Sequence, residues 1–447
     1  MLRIPIVLSV LLALPLSRAL AQQADTLSST RATPVAVTAP TPLTLAEVYA
    51  LARERNPMLQ ASAASVEAVR AREASAKLPP DPQLQLGVMN TPFPGVERMS
   101  SSLQPSVQLM QMVPIAGQLG LSGKIARQST AIERAQADET DWMVRAQAAT
   151  HFYEIYRIDR QLDVMRETLE WLKSFEQVAR AMYASGQGRQ SDVLRASVEV
   201  ARMDADTLRM RAMRTAAVAR LNAVLDQPAA TAVPAVAWTP LPLDLPAADT
   251  LGTWAEQNRP LLERGRLAVE QAGTRRTLAK RELWPDLSLG VQLSQQPGEM
   301  GASERMSGVM LGFSLPVFAG QRQLRMRKEA EAMERMAGAE LTQSRAEVRA
   351  SISEMTAELV RARTLVTLYR REVLPQATAN VESALASYRV GSVDFLTLVD
   401  AQMTLNQYQQ ELYALLSEYG VLIAELERAI GRELPPTTNA VLTEEPR

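Results

Sequence analysis

Two stretches decide how this chain folds: Leu287-Ser288-Leu289-Gly290-Val291-Gln292-Leu293 and Gly308-Val309-Met310-Leu311-Gly312-Phe313-Ser314-Leu315. In each, large apolar residues alternate with Ser, Gly, Gln or Met. Earlier in the chain, Leu84, Leu86 and Val88 alternate with Gln83, Gln85 and Gly87, and Val107 and Leu109 with Ser106 and Gln108. A period of two sends alternate side chains to opposite faces of a strand. An apolar face backed by small or polar groups is the pattern of a transmembrane barrel, with lipid outside and water inside. A half-buried strand pair on a soluble core gives the same alternation. Strands at about 82–89, 105–113, 286–294 and 307–315 reach or closely approach the roughly 9–11 residues of a tilted crossing. Four strands cannot close a barrel, and unpaired edges are not tolerated in hydrocarbon. A place in lipid therefore requires several copies to share one barrel.

Working outward, the chain reads as the same text twice. Asn56-Pro57-Met58-Leu59 returns as Asn258-Arg259-Pro260-Leu261, and Pro80-Asp81 as Pro285-Asp286. Val113-Pro114-Ile115-Ala116-Gly117-Gln118 returns as Leu315-Pro316-Val317-Phe318-Ala319-Gly320-Gln321, and Tyr183-Ala184-Ser185-Gly186 as Tyr388-Arg389-Val390-Gly391. Each half has one order: helix, two strands, very long helix, glycine turn, long helix. The first helix is expected over 43–77, with Thr44 and Glu47 as a capping box. From Lys124 to Ser185 there is neither Gly nor Pro, so one helix of about 100 Å is expected from Gln118 to Tyr183. Its counterpart runs from Gln321 to Tyr388, where Pro375 should kink or locally break it. In the returning helix, Leu398, Leu405, Leu412, Tyr419 and Leu426 stand seven apart beside Ala401, Tyr408, Leu415, Leu422 and Ala429, which is coiled-coil spacing. A plain soluble helical bundle shares that signal.

Composition pushes away from catalysis. The 447 residues carry 48 Lys+Arg against 49 Asp+Glu, which gives no basic surface for nucleic acid. There is no cysteine and one histidine, His151, so disulfides, thiolate metal centres and Cys nucleophiles are excluded. The nearest phosphate-loop look-alike, Gly117 to Gly123-Lys124, has the wrong spacing and continues with Ile125. No enzyme and no cofactor is expected. Arg3, the apolar run Ile4 to Leu16 and Ala19-Leu20-Ala21 read as a signal peptide over 1–21. The expected division continues with a flexible segment at 22–42, a first repeat at 43–227 and a linker at 228–250. A second repeat at 251–434 and a tail at 435–447 complete it.

With these features together, the chain resembles the TolC family of outer-membrane efflux ducts over about 43–434. The duplicated helix–hairpin–helix order carries the likeness most specifically. So do the glycine turns leading to Ser191-Asp192-Val193-Leu194 and to Asp394-Phe395-Leu396-Thr397-Leu398-Val399-Asp400-Ala401. The resemblance implies a mainly α fold with a small β part. It implies a homotrimer in which each chain gives four strands to a twelve-stranded barrel and the long helices form a tunnel across the periplasm. The segment 228–248 and the C-terminal end would form an equatorial collar. The glycine turns would be the periplasmic tips, with Gly186, Gln187, Gly391, Ser392 and Val393 meeting a periplasmic adaptor and, with it, an inner-membrane transporter of the RND type.

The family often carries Asp six and nine residues after the second tip glycine. Here those positions are Thr397 and Asp400, so one carboxylate ring of two is retained. Asp192, Tyr388 and Asp400 are the gate candidates, with a Tyr388–Asp192 hydrogen bond expected to help hold the closed state. Asp400 is equally well read as a solvated helix-face carboxylate. The segment Leu78-Pro79-Pro80-Asp81-Pro82, with Asn90, Pro92 and Gln111-Met112-Val113-Pro114, is similar to members associated with heavy-metal efflux. Met89, Met99, Met110 and Met112 cluster around the first hairpin. Thioethers suit soft cations, and methionine is also a common packing filler. The readings left open by sequence are export of drugs or metals, type I protein secretion, and a soluble periplasmic coiled-coil scaffold.

Overall fold

The structure is a computed structural model and describes residues 42–89, 104–297, 303–315, 317–435 and 441–442. The expected signal peptide and nearly all of the 22–42 segment lie outside the described residues, as do Met99 and most of the tail.

Helices α1 (Leu45–Arg55) and α2 (Pro57–Ser75) replace the single helix expected over 43–77. Thr44 and Glu47 close the capping box from both sides, at 2.8 and 3.3 Å. The break falls at Asn56, whose ψ of 123° is extended. A residue before proline is pushed out of the helical region, while proline itself suits a first helical turn. Asn56 then caps α2 through Oδ1, accepting from the Met58 N–H at 2.9 Å, and donates through Nδ2 to the Val224 carbonyl at 2.8 Å. Arg259 before Pro260 repeats the break in the second half, between α5 (Ala248–Asn258) and α6 (Pro260–Arg281).

Strands β1 (Gln83–Met89) and β2 (Gln104–Val113) lead into α3 (Gln118–Ala184), a single helix of 67 residues. It is followed by α4 (Gln190–Val224). After a short strand β3 (Leu241–Pro242), α5 and α6, the second hairpin is β4 (Leu287–Pro297) and β5 (Ser303–Phe313). β5 begins four residues before, and ends two before, the expected 307–315, because pairing with β4 extends to Pro297↔Ser303. The second long helix is α7 (Gln323–Leu368), a π-helical turn (Tyr369–Val373) and α8 (Leu374–Arg389). The local break expected at Pro375 takes the form of this π-helical turn, which ends two residues before the proline. The Leu374 N–H reaches back to Tyr369 O, and this widened turn accommodates the pyrrolidine ring against the preceding turn. α9 (Phe395–Ile430) returns along it, and β6 (Val441–Leu442) ends the described chain.

Each long helix runs past shorter partners toward its two ends. α3 lies along α2 and α6 on the strand side and along α4 and α9 on the turn side, and α7 lies along α6 and α9. Midway, Phe152, Tyr153 and Tyr156 of α3 and Tyr419 of α9 are fully buried. Trp238 packs its ring 4.9 Å from Tyr156. Each such side chain withdraws enough apolar area to contribute about 1.5–3 kcal/mol, which makes this belt the anchor of the body. Gly420 makes the contact feasible, because a β-carbon there would lie 2.5 Å from the Tyr153 ring.

The Pro-rich stretch between the repeats is held against this belt. Leu43 and Ala235 or Ala237 exchange two backbone bonds at 3.0 and 2.9 Å. Asn222 Nδ2 donates to Ala229 O and Thr231 O. Arg214 pairs with Asp159 at 2.5 Å and donates to Val233 O at 3.3 Å. The linker ends at Ala247, since α5 already starts at Ala248. The tail is pinned at Val441–Leu442 by antiparallel pairing with Leu241–Pro242.

Candidate functional site

At the end of the body remote from the strands, the two glycine turns have the same build. α3 and α8 end, and the chain reverses through Gly186 (φ 76°) and Gly391 (φ 73°). The Gln187 N–H closes on Met182 O and the Ser392 N–H on Ser387 O, both at 2.9 Å. These six-to-one bonds end a helix around a left-handed residue, a conformation that costs glycine little. Arg189 and Asp394, one from each turn, approach to 3.9 Å across the exposed end.

Beneath the turns, α3, α4, α8 and α9 share a cluster that includes Phe175, Ala196, Val381, Tyr388, Phe395 and Leu398. Tyr388 meets Phe395 edge to face with ring centroids 5.4 Å apart. Burial first, and then the neighbouring Asp192 carboxylate, push its phenol up to about 12. Asp192 lies close enough to couple to the phenol as expected, although the Tyr388 hydroxyl meets no acceptor at full hydrogen-bonding geometry. Asp400 stands apart from them. It is exposed on α9, in a groove of about 830 Å³ shared with Gln161 of α3 and with Asp206 and Arg209 of α4. Gly186, Gln187, Gly391 and Ser392 are exposed, whereas Val393 is half-buried against the cluster. Sequence reasoning missed the Arg189–Asp394 pair and the apolar skirt of Leu194, Val198, Val390 and Leu396, all exposed. Skipped positions on α4 carry the signal, since Leu194 and Val198 are four apart on a face their own coil leaves open.

At the other end the four long strands form one antiparallel sheet in the order β1-β2-β4-β5. The register aligns the alternation across the sheet: Leu84↔Leu109↔Val291↔Val309 is one row, and Leu86↔Val107↔Leu293 another, ended on β5 by Ser307. This face is bare, with Leu86 74% and Val309 85% exposed. Such an area is far larger than a soluble surface normally leaves open. Gln111 also falls on this face, and its amide is satisfied by Pro80 O at 2.6 Å and Met112 O at 2.8 Å. Where the sheet meets the helices, Trp284 and Phe318 are exposed, as in the aromatic girdles of membrane barrels. The opposite face carries Gln, Ser, Gly and Met. A β-carbon at Gly312 would strike Ser288 Oγ at 2.5 Å, so small residues there permit close side-chain approach across strands. Among the described residues no helix is long and apolar enough to cross a membrane, and no His/Cys/Asp/Glu group could hold a metal ion.

A bare apolar sheet, a polar inner face and paired helices closed by twin turns define an outer-membrane channel protein. The chain belongs to the outer membrane efflux protein family, whose profile matches residues 48–227 and 252–432, one match per repeat. It is 21% identical to the cobalt-zinc-cadmium resistance protein CzcC of Cupriavidus metallidurans, over 88% of this chain and 90% of that protein. Its fold superimposes on that of CusC with a TM-score of 0.75 at 16% identity, covering 87% of this chain and 92% of the other. The outer membrane protein VceC of Vibrio cholerae gives 0.71 at 17% identity, covering 87% and 96%. The protein is accordingly an outer-membrane efflux protein that extends into the periplasm, with four strands and a helical barrel segment per chain.

Proposed function

We propose that three copies of the chain form a passive exit duct for small toxic compounds or heavy-metal ions. Each would contribute β1, β2, β4 and β5 to a twelve-stranded barrel, and the long helices would continue the pore through the periplasm. The observation that carries this reading is the four-stranded sheet itself. Its apolar face reaches across all four strands and turns polar only at the far end, at Gln295, Arg305 and Ser307, while the outer sides of β1 and β5 have no partner strand among the described residues. Copies related by rotation satisfy both edges without a new kind of contact.

Energy for export would come from an inner-membrane transporter of the RND type, joined through a periplasmic adaptor. The turns at Gly186–Gln187 and Gly391–Ser392 are the docking points in this reading, with the exposed skirt around Leu194 and Val390 as apolar contact area. A ring of Asp400 carboxylates near the tip would favour cations over anions. Heavy-metal cargo is favoured by the likeness to CzcC.

The test is a mass measurement in detergent combined with planar-bilayer recording. A particle of three chains that opens ion-conducting pores is expected. A lone subunit, or bilayers that stay sealed after insertion, overturns the duct.

A further inference from the structure

Methionine is distributed over the sheet in a way that packing does not explain. Every described Leu, Val and Phe of the four strands lies on the lipid-type face. Met110, Met112, Met306 and Met310 all lie on the opposite face, in register with Gln, Ser and Gly. A methionine that fills a core is buried. Here Met112 is 43% and Met306 49% exposed, and Met110 and Met310 are half-buried, on the face that the duct reading fills with water. What distinguishes these side chains from the surrounding Gln and Ser is the thioether.

The register also brings them together. Met110, Gly290 and Met310 form one row across β2, β4 and β5. Two strand spacings separate the outer backbones by about 10 Å, and the middle residue has no side chain to keep the thioethers apart. Met310 Cε already lies 3.4 Å from the position a Gly290 β-carbon would take, so it leans over the glycine. The next row toward the helices is Met112, Ser288 and Gly312, again with a glycine completing it. Met306 stands further along, opposite Ser294.

We infer that these methionines are successive weak stations for a soft monovalent cation, Cu(I) or Ag(I), on the inner wall of the barrel. The inference rests on the duct reading and names its cargo class. Thioethers prefer such ions over Co(II) or Zn(II), which favour imidazole, carboxylate or thiolate ligands. The chain has no cysteine that would trap the ion, and several weak sites suit passage better than one strong site.

The experiment uses the full-length protein in detergent with Ag(I) as the only added metal. Metal uptake is followed by equilibrium dialysis and the coordination shell by X-ray absorption. Wild type should hold Ag(I) with sulfur neighbours, and Met110→Gln/Met310→Gln should weaken retention at least tenfold. Glutamine is the type this face already uses, and potassium conductance in bilayers checks that the variant still forms pores. A second pair, Met112→Gln/Met306→Gln, should also lower uptake. Equal Ag(I) uptake by wild type and both variants, or a shell without sulfur, overturns the inference. A wild-type protein that binds Ag(I) through sulfur but conducts no ions overturns the duct and leaves the thioether site standing.

Discussion

Gly186 and Gly391 hold nearly the same backbone angle, φ 76° and 73°, at equivalent places in the two repeats. Each is followed one residue later by an N–H that closes the same 2.9 Å bond. Neither of these two glycines has anything within 4 Å of a would-be β-carbon, so their demand for glycine is conformational and not steric. Replacing either by Ala should cost about 1 kcal/mol. The two turns face each other through Arg189 and Asp394 and share the cluster beneath them, so the double variant should depart from the simple sum. Thermal unfolding of the purified protein measures both, and a neutral double variant would show that the turns are not strained.

In the proposed duct, Asp192 and Tyr388 would bear on the state of the tip. Asp192→Ala removes the charge facing the phenol, and single-channel conductance should rise above wild type if the pair helps keep the tip narrow. Tyr388→Phe should change conductance less at neutral pH, because the phenol is uncharged there and meets no acceptor at full hydrogen-bonding geometry.

The same phenol sets a pH dependence. Its pKa is about 12 in the fold against 10.0 ordinarily, so folding favours the neutral form. That contribution is fully present below pH 10 and is lost as pH rises through 12. Wild-type channels should therefore be indifferent to this group between pH 6 and 9 and loosen only under strong alkali. Tyr388→Phe should flatten the alkaline rise in conductance.

Gly420 faces the Tyr153 ring, with the would-be β-carbon 2.5 Å from Cζ. That ring is fully buried and cannot swing aside, so Gly420→Ala should destabilise by about 1–3 kcal/mol. A lowered melting temperature with unchanged tip behaviour is the expected pattern.

Val309 is the most exposed apolar side chain of the sheet. On the lipid face near mid-membrane, Val309→Arg should cost about 2–4 kcal/mol. Gly308→Ser, one residue away on the inner face, should cost little, since nothing lies within 4 Å of its β-carbon position. Comparing the amount of heat-resistant assembly in outer-membrane fractions tests the assignment of faces directly.

How much of this was legible in the sequence depended on how local the signal was. The α3 rod declared itself through sixty residues without a helix breaker, and strand faces through alternation. The break at Asn56 was present in the Asn-Pro pair, yet the periodic run beyond it outweighed that cue. At Pro375 the sequence signalled a disturbance but not its form, since a π-turn depends on whether neighbouring helices hold the rod straight. Asp192 and Tyr388 were brought near each other as their distance from the turns suggested, but whether a hydrogen bond closes is a matter of ångströms that spacing does not carry. The Arg189–Asp394 pair and the β3–β6 clasp join residues far apart in the chain, and nothing local announces either.

The two open margins of the sheet also have a genetic meaning. If pores draw their chains at random from a common pool, a defective copy reaches most of them. With equal synthesis of sound and faulty chains, roughly one in eight of the proposed three-chain ducts would be entirely sound. An allele that still joins the ring but blocks its passage should therefore be dominant, whereas one that cannot offer its margin strands should be silent beside a good copy.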